Sequence, residues 1–119
     1  MRPPAIDPTT DFFAGIAAVG YHPLLANATG TLRFDVVDPE GVEHWHVEME
    51  KGTVRVSHRN RRADVVVRID RELADAVTCG HTNAMAAMLR GELVPDGDLR
   101  LVMLFQRLFP GPPRAGSAA

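Results

Sequence analysis

The stretch Thr31-Leu32-Arg33-Phe34-Asp35-Val36-Val37-Asp38-Pro39-Glu40-Gly41-Val42-Glu43-His44-Trp45-His46-Val47-Glu48-Met49-Glu50-Lys51-Gly52-Thr53-Val54-Arg55-Val56-Ser57 decides the fold of this chain. Its period is two. Leu32, Phe34 and Val36 alternate with Arg33 and Asp35. Trp45, Val47 and Met49 alternate with His44, His46, Glu48 and Glu50, and Val54 and Val56 alternate with Arg55 and Ser57. Asp38-Pro39-Glu40-Gly41 and Lys51-Gly52 carry turn chemistry between these runs. The pattern predicts a three-stranded antiparallel meander with one apolar face. If Lys51-Gly52 is a two-residue loop, Glu50 pairs with Thr53, Met49 with Val54, Glu48 with Arg55, Val47 with Val56 and His46 with Ser57. Every pair then matches face to face, and Glu48–Arg55 is an opposite-charge pair. A one-residue slip would put Val47 and Met49 in water.

Working outward toward the N-terminus, Tyr21 to Gly30 reads as a connector with one helical turn at Pro23–Ala26. Thr10 is the expected cap of a helix through Val19, stopped by Gly20, with Phe12, Phe13, Ile16 and Val19 on its apolar face. Residues 1–9, with three prolines, read as a flexible leader. Toward the C-terminus, Asn60-Arg61-Arg62 is a polar break. Ala63, Val65, Val67 and Ile69 continue the alternation as a fourth strand. Asp70 is the expected cap of a helix over Arg71–Cys79, and Thr82 that of a second through Arg90. Gly80 and Gly91 stop them. Leu93-Val94-Pro95 is a short strand whose proline suits an edge. Gly97-Asp98 opens a last helix, Leu99–Phe109, which Pro110 ends, and residues 111–119 read as a flexible tail. The domain is therefore expected over residues 10–110.

The chain has 119 residues, which bounds it to one domain. Its hydrophobic fraction of 45% and charged fraction of 24% are those of an ordinary globular domain. The formal charge of −2 speaks against general nucleic-acid binding. Twelve of the thirteen basic residues are Arg, which reads as codon bias. A lone cysteine, Cys79, leaves no intrachain disulfide and no multi-cysteine metal site. It falls at the C-terminal end of its helix, where the dipole does not favour a thiolate, so it reads as a buried structural residue. The first residues carry no signal-peptide apolar run and no stretch suffices to span a bilayer, so the expected compartment is the cytoplasm.

No catalytic constellation emerges. Ser57 and the threonines have no nucleophile signature. His44 and His46 share a strand face, but a closed metal site needs more ligands, and they read as a solvated sheet face. His58 falls opposite Trp45, at the rim of the apolar face, half-buried. Asp96 and Asp98 are explained by a turn and a cap, and there is no glycine-rich phosphate loop. No cofactor is expected. His58-Arg59-Asn60-Arg61-Arg62 is the one basic cluster. It reads as a solvated tip, or as a patch by which Arg59, Arg61 and Arg62 meet an anionic membrane.

The anomaly is apolar excess in the C-terminal third. From Leu99 to Phe109, eight of eleven residues are apolar, so this helix wants burial over most of its surface. Leu101, Leu104, Phe105 and Leu108 form its stripe, Arg100 and Arg107 its solvent side, and Val102 and Phe109 its flank, where they could form a lid or a contact with a partner. The preceding helix adds Met85, Met88 and Leu89, and methionine suits surfaces that accept varied shapes. Either the core is simply packed, or two helices and the sheet line an apolar cavity, or the last helix covers a partner. The residues expected to line a cavity are Phe34, Trp45, Val47 and Met49 from the sheet, with Met85, Met88, Leu89, Leu101, Leu104, Phe105 and Leu108 from the helices.

The run Cys79-Gly80-His81-Thr82-Asn83-Ala84-Met85-Ala86-Ala87-Met88-Leu89-Arg90-Gly91-Glu92-Leu93-Val94-Pro95-Asp96-Gly97-Asp98, followed by Leu101, Leu104 and Leu108-Phe109, resembles the sterol carrier protein type 2 family. The matching positions are Gly80, Asn83, Gly91, Leu93, Gly97 and Asp98. Upstream, Gly30 with Leu32-Arg33-Phe34, the Trp45 strand, Lys51-Gly52 and Ala63-Asp64-Val65 follow the family's order. The chain departs from it at Ala84, where many members have proline, and at Glu92 and Asp96, where animal members are lysine-rich. The resemblance implies an α+β domain: a single, mainly antiparallel five-stranded mixed sheet with helices on one face, enclosing an apolar tunnel for sterols, fatty acyl chains or other lipids. It implies a non-catalytic carrier, alone or as an accessory domain beside an enzyme or a second copy. Two other readings stay open: a small cone-shaped α+β cyclase, isomerase or dehydratase resembling nuclear-transport-factor-like enzymes, and a domain that docks its last helix on a partner protein.

Overall fold

The computed structural model of the chain describes residues 7–111. The meander is present as β1 (Thr29–Asp38), β2 (Gly41–Glu50) and β3 (Thr53–Ser57). β4 (Val65–Asp70) lies parallel to β1 on its other side, and β5 (Leu93–Gly97) pairs antiparallel with β4, giving the order β3-β2-β1-β4-β5. The β2–β3 register has Glu50 against Thr53, Met49 against Val54, Glu48 against Arg55, Val47 against Val56 and His46 against Ser57, as the alternation requires. Lys51 and Gly52 have φ of 49° and 95°, the two positive values that a primed hairpin turn demands. The Tyr21 ring leaves no space for a Cβ at Gly52. The connector lies along this turn, with His22 N–H donating to Gly52 O (2.7 Å) and Val54 N–H to Gly20 O (2.7 Å).

Four helices, α1 (Pro8–Val19), α2 (Arg71–Thr78), α3 (Ala84–Leu89) and α4 (Leu99–Phe105), cover the apolar face of the sheet, with 3-10 turns at Pro23–Leu25 and Gln106–Leu108. The core joins Leu32, Phe34, Val36, Trp45, Val47, Met49, Val65, Val67 and Ile69 of the sheet to Phe13, Ile16, Ala74, Val77, Ala84, Ala87, Leu101, Val102 and Phe105 of the helices.

Helix starts differ from the sequence reading. Asp7, not Thr10, caps α1, its Oδ1 accepting from Thr10 N–H at 2.7 Å. Pro8 then takes the first helical position, where a missing N–H costs nothing. Thus α1 begins inside the stretch expected to be leader. Residues 1–6 and 112–119, the rest of the expected leader and tail, lie outside the described residues. Asn83, not Thr82, caps α3, accepting from Ala86 N–H at 3.0 Å, and Asp70 precedes α2 without a side-chain cap bond. Val19 points outward, 66% exposed. The last helix is α-helical only to Phe105 and tightens into a 3-10 turn. Val102 belongs to the core rather than to a flank.

The outer face of the sheet is not simply solvated. The connection from β3 to β4 must pass β2 and β1, and it runs across this face. Arg33 Nη1 donates to Arg61 O (3.0 Å), His46 Nε2 to Arg62 O (3.2 Å), and Thr31 N–H to Asp64 Oδ2 (2.9 Å). His46, expected in water, is therefore buried, as is Asp35.

Candidate functional site

Between sheet and helices lies an aromatic cluster. Phe13 stacks on Trp45 with ring centroids 4.7 Å apart, and Phe34 lies 5.3 Å from both Phe13 and Phe105. Phe12 links this cluster to Phe109, 5.0 Å away. Of the residues expected to line a cavity, Phe34, Trp45, Val47, Met49, Leu101 and Phe105 come together in the core, with Met88, Leu104 and Leu108 packed half-buried against it. Met85 is half-buried. Leu89 is not part of the interior: it is 85% exposed. Ala84 and Ala87 turn inward, and Leu89 lies roughly 200° round the helix from Ala87 at 100° per residue.

The described residues border two apolar spaces of different size, neither of them fully enclosed. One is an internal void of about 20 Å³, bounded by Thr9 and Phe13 of α1, Phe34 and Val36 of β1, Ile69, Ala74, Val77, Thr78, Leu93 and Phe109. That is room for about one water molecule, far below the roughly 300 Å³ at which ligand pockets begin. Of the expected lining residues only Phe34 borders it. The other is a surface groove of about 440 Å³ along the outside of α1, walled by Phe12, Ile16, Val19, His22, Thr78, Cys79, Leu108 and Pro110, with Asp11 as its one charged residue. A further cleft of about 540 Å³ carries Arg68, Asp70, Glu72 and Glu92 beside Ile69, Leu73 and Val94, a lining too charged for an apolar ligand. The contributions of Thr9 and Thr78 escape the sequence reading, whereas Phe109, expected on the flank of the last helix as a lid or partner contact, borders the void. Thr9 falls in the stretch that reads as leader, and a threonine at a helix end carries no inward signal.

The polar groups cluster elsewhere. Asp35 accepts from Arg33 Nε (2.8 Å) and Nη2 (3.1 Å) and from His44 Nδ1 (2.7 Å). Burial by itself would raise the Asp35 pKa. The Arg33 and His44 hydrogen bonds and charges outweigh it and hold the carboxyl below the usual range. Arg71 reaches Asp7, Asp38 and Glu43 at 3.1, 3.6 and 2.6 Å. For Asp7, too, burial acts upward, and the Thr10 hydrogen bonds with the Arg71 charge bring the net value down. Glu48 faces Arg55 in the register, but the ion pair it makes is with Arg61, at 3.9 Å. No group of three or more His, Cys, Asp or Glu side chains among the described residues is placed to hold a metal ion.

Cys79 is exposed rather than buried, its Sγ 3.4 Å from His81 Nδ1. It sits past the last turn of α2, beyond the stripe of Ala74, Val77 and Thr78 that faces the core. His58 is exposed, but its ring packs on Trp45 with centroids 3.9 Å apart. Arg59, Arg61 and Arg62 are all exposed on the crossing connection.

A mainly antiparallel five-stranded sheet with helices over one apolar face is the architecture of sterol-carrier domains. The model of the SCP-2 sterol transfer family matches residues 16–110, and the chain belongs to that family. No curated protein sequence matches it. Among solved structures it is similar to the sterol carrier protein domain 2 of Helicoverpa armigera, at 19% identity and a TM-score of 0.68, covering 95% of this chain and 96% of that one. It is also similar to sterol carrier protein-2 of Aedes aegypti in complex with the C16 fatty acid palmitate, at 17% identity and TM-score 0.63, covering 89% and 97%. A third likeness is to a stereoselective inverting sec-alkylsulfatase of Pseudomonas sp., at 19% identity and TM-score 0.66, covering 86% of this chain but 16% of that one. The family and the sheet order set aside the cone-shaped enzyme fold. No helix among the described residues is long and apolar enough to cross a membrane.

Proposed function

We propose that this chain is a non-catalytic carrier of a long-chain apolar lipid, held between the sheet and helices α1, α2 and α4. The observation that carries this reading is the chemistry of that interior. It is lined by aromatic and aliphatic side chains, and the buried polar residues on the helix side are Thr9 and Thr78, whereas Asp35 and His46 lie on the opposite face. The palmitate held by the Aedes aegypti protein of the same fold supports an acyl chain as ligand. Burying the fifteen aliphatic carbons of a C16 acyl chain yields about 12 kcal/mol gross at about 0.8 kcal/mol per CH₂, and ordering and association offset about 4 kcal/mol of it. Affinity is therefore expected near micromolar. The exposed Arg59, Arg61 and Arg62 would meet anionic headgroups where the lipid is taken up or delivered.

Titration with a fluorescent C16 fatty acyl probe, with native mass spectrometry of the purified protein, tests the reading. Saturable binding and a co-purified lipid mass support it. No saturation by about 100 μM, an affinity weaker than roughly 5.5 kcal/mol, overturns it. A second reading, favoured by the sulfatase likeness, is that the domain serves a partner enzyme. A lipid-independent complex with an enzyme on gel filtration would favour it.

A further inference from the structure

The segment after α4 stands between the two apolar spaces. Phe109 forms part of the wall of the internal void, while its neighbours Leu108 and Pro110 line the groove, and Thr78 borders both. The Phe109 ring rests on Phe12, also a groove residue, and meets Phe105 edge-on at 5.7 Å. The other walls of the void are strands in the sheet ladder and helices α1 and α2. The last segment is anchored differently. Among the described residues, nothing from Arg107 to Gly111 hydrogen-bonds to α1, α2 or the sheet, and Phe109 N–H donates to Gln106 O (3.1 Å) within its own turn. Phe109 is also the first residue out of helical conformation, at φ −69° and ψ 139°. Close contact is made with the turn after α2 at Gly80, whose φ of +86° and missing Cβ let Gly111 approach; a Cβ there would stand 2.6 Å from Gly111 O.

The groove itself suits a hydrocarbon. The Thr78 hydroxyl donates back to Ala74 O (2.8 Å), and His22 Nε2 is engaged with Ile16 O (2.9 Å). These two polar groups are already satisfied, and the one charged side chain of the groove, Asp11, is exposed at its edge, so the wall formed by Phe12, Ile16, Val19 and Leu108 offers apolar surface rather than hydrogen bonds to a peptide backbone.

We propose that Phe109 is the gate and the length-limiting residue of the lipid site. An acyl chain first lies in the groove between α1 and Leu108–Pro110. It enters the interior tail first as Phe109 leaves Phe12, the tail taking the ring's place while the head end stays in the groove beside Cys79. A segment held by packing contacts alone is the wall that opens at least cost, because no hydrogen bond to another element is broken. This rests on the lipid-carrier reading, and the test separates the two.

Uptake of the fluorescent C16 probe is followed by stopped flow for the wild type, Phe109→Ala and Phe109→Trp, with equilibrium titration over a series of chain lengths. Phe109→Leu stands in if Phe109→Ala does not fold. Cys79, the one cysteine of the chain and exposed in the groove wall, serves as reporter through its rate of maleimide alkylation. The expected result is several-fold faster uptake and acceptance of longer chains in Phe109→Ala, slower uptake in Phe109→Trp, and several-fold protection of Cys79 by saturating palmitate. If the wild type binds the probe but both variants share its rates and chain-length profile, or if palmitate leaves Cys79 alkylation unchanged, the gate is overturned and the carrier reading survives. If the wild type takes up no probe, both fall.

Discussion

Arg71 Nη2 lies 2.6 Å from Glu43 Oε1, the same oxygen that accepts from Trp45 Nε1 at 2.9 Å. One carboxylate thus ties the start of α2 to the indole at the centre of the aromatic cluster. Through Asp7 and Asp38 the guanidinium also reaches the cap of α1 and the end of β1. Arg71→Met keeps the stem but strands partly buried carboxylates. A loss of about 1–3 kcal/mol is expected, as for hydrogen bonds between charged groups, read from the urea midpoint. Arg71→Lys should recover only part, since an ammonium cannot fork to several acids.

Acid should weaken the fold in a defined window. Asp7 and Asp35 have pKa values lowered on folding. Their contribution is therefore present above the unfolded value of about 3.9 and is lost as pH falls through the folded values. Urea midpoints measured from pH 6 down to the acid limit of folding should hold above roughly pH 5 and fall steeply below roughly pH 4. Asp35→Asn should be less stable at neutral pH and show a shallower acid limb. An unchanged acid limb would place the titrating groups elsewhere.

Core substitutions should divide by burial. Leu101 is 2% exposed, so Leu101→Ala is expected to cost about 2–5 kcal/mol. Leu104, three residues on, is half-buried, and Leu104→Ala should cost clearly less. Leu89→Ala, on an 85% exposed side chain, should stay within about 0.5 kcal/mol. Thermal or urea unfolding of the three variants checks the order.

The hairpin at Lys51-Gly52 offers a stabilising change. Lys51 holds a φ of 49°, which costs a side-chain-bearing residue other than Asn or Asp of order 1 kcal/mol. Lys51→Asn should raise stability by several tenths of a kcal/mol. Gly52→Ala should do the opposite, with the Tyr21 ring displaced, visible as a change in tyrosine fluorescence.

Alternation made the sheet legible. Once Val47, Met49, Val54 and Val56 must share a face, a two-residue turn leaves a single register, and that is the register found. Helix starts were less legible because Asp7 and Thr10, or Thr82 and Asn83, are all competent caps, and local sequence does not rank them. Leu89 and Cys79 failed for a different reason. Burial on a helix of six or eight residues depends on which two or three positions meet the sheet, and that is settled by tertiary packing. Nor does the outer face announce that a connection covers it. His46 alternates like a solvated residue and is buried by a loop sixteen positions later in the chain, at Arg62. The candidate lipid site was legible as apolar excess, but the position of its void, against α1, α2 and Phe109, was not.

The passage of the chain across the outer face from β3 to β4 has a consequence for how the protein is made. β1 finds one neighbour in the next strand but the other only at Val65–Asp70, and that parallel pairing closes a long loop. A ribosome emitting the chain N-terminus first delivers a finished β1–β3 meander whose apolar side, with Phe34, Trp45, Val47 and Met49, has α1 as its only helical cover. α2, α3 and α4 emerge later. Such an intermediate exposes both a hydrophobic sheet face and the unpaired edge of β1, a ten-residue strand, the features that invite aggregation during synthesis. Slow translation between Ser57 and Phe105, or truncation there, should therefore send the nascent protein to chaperones or into inclusion bodies.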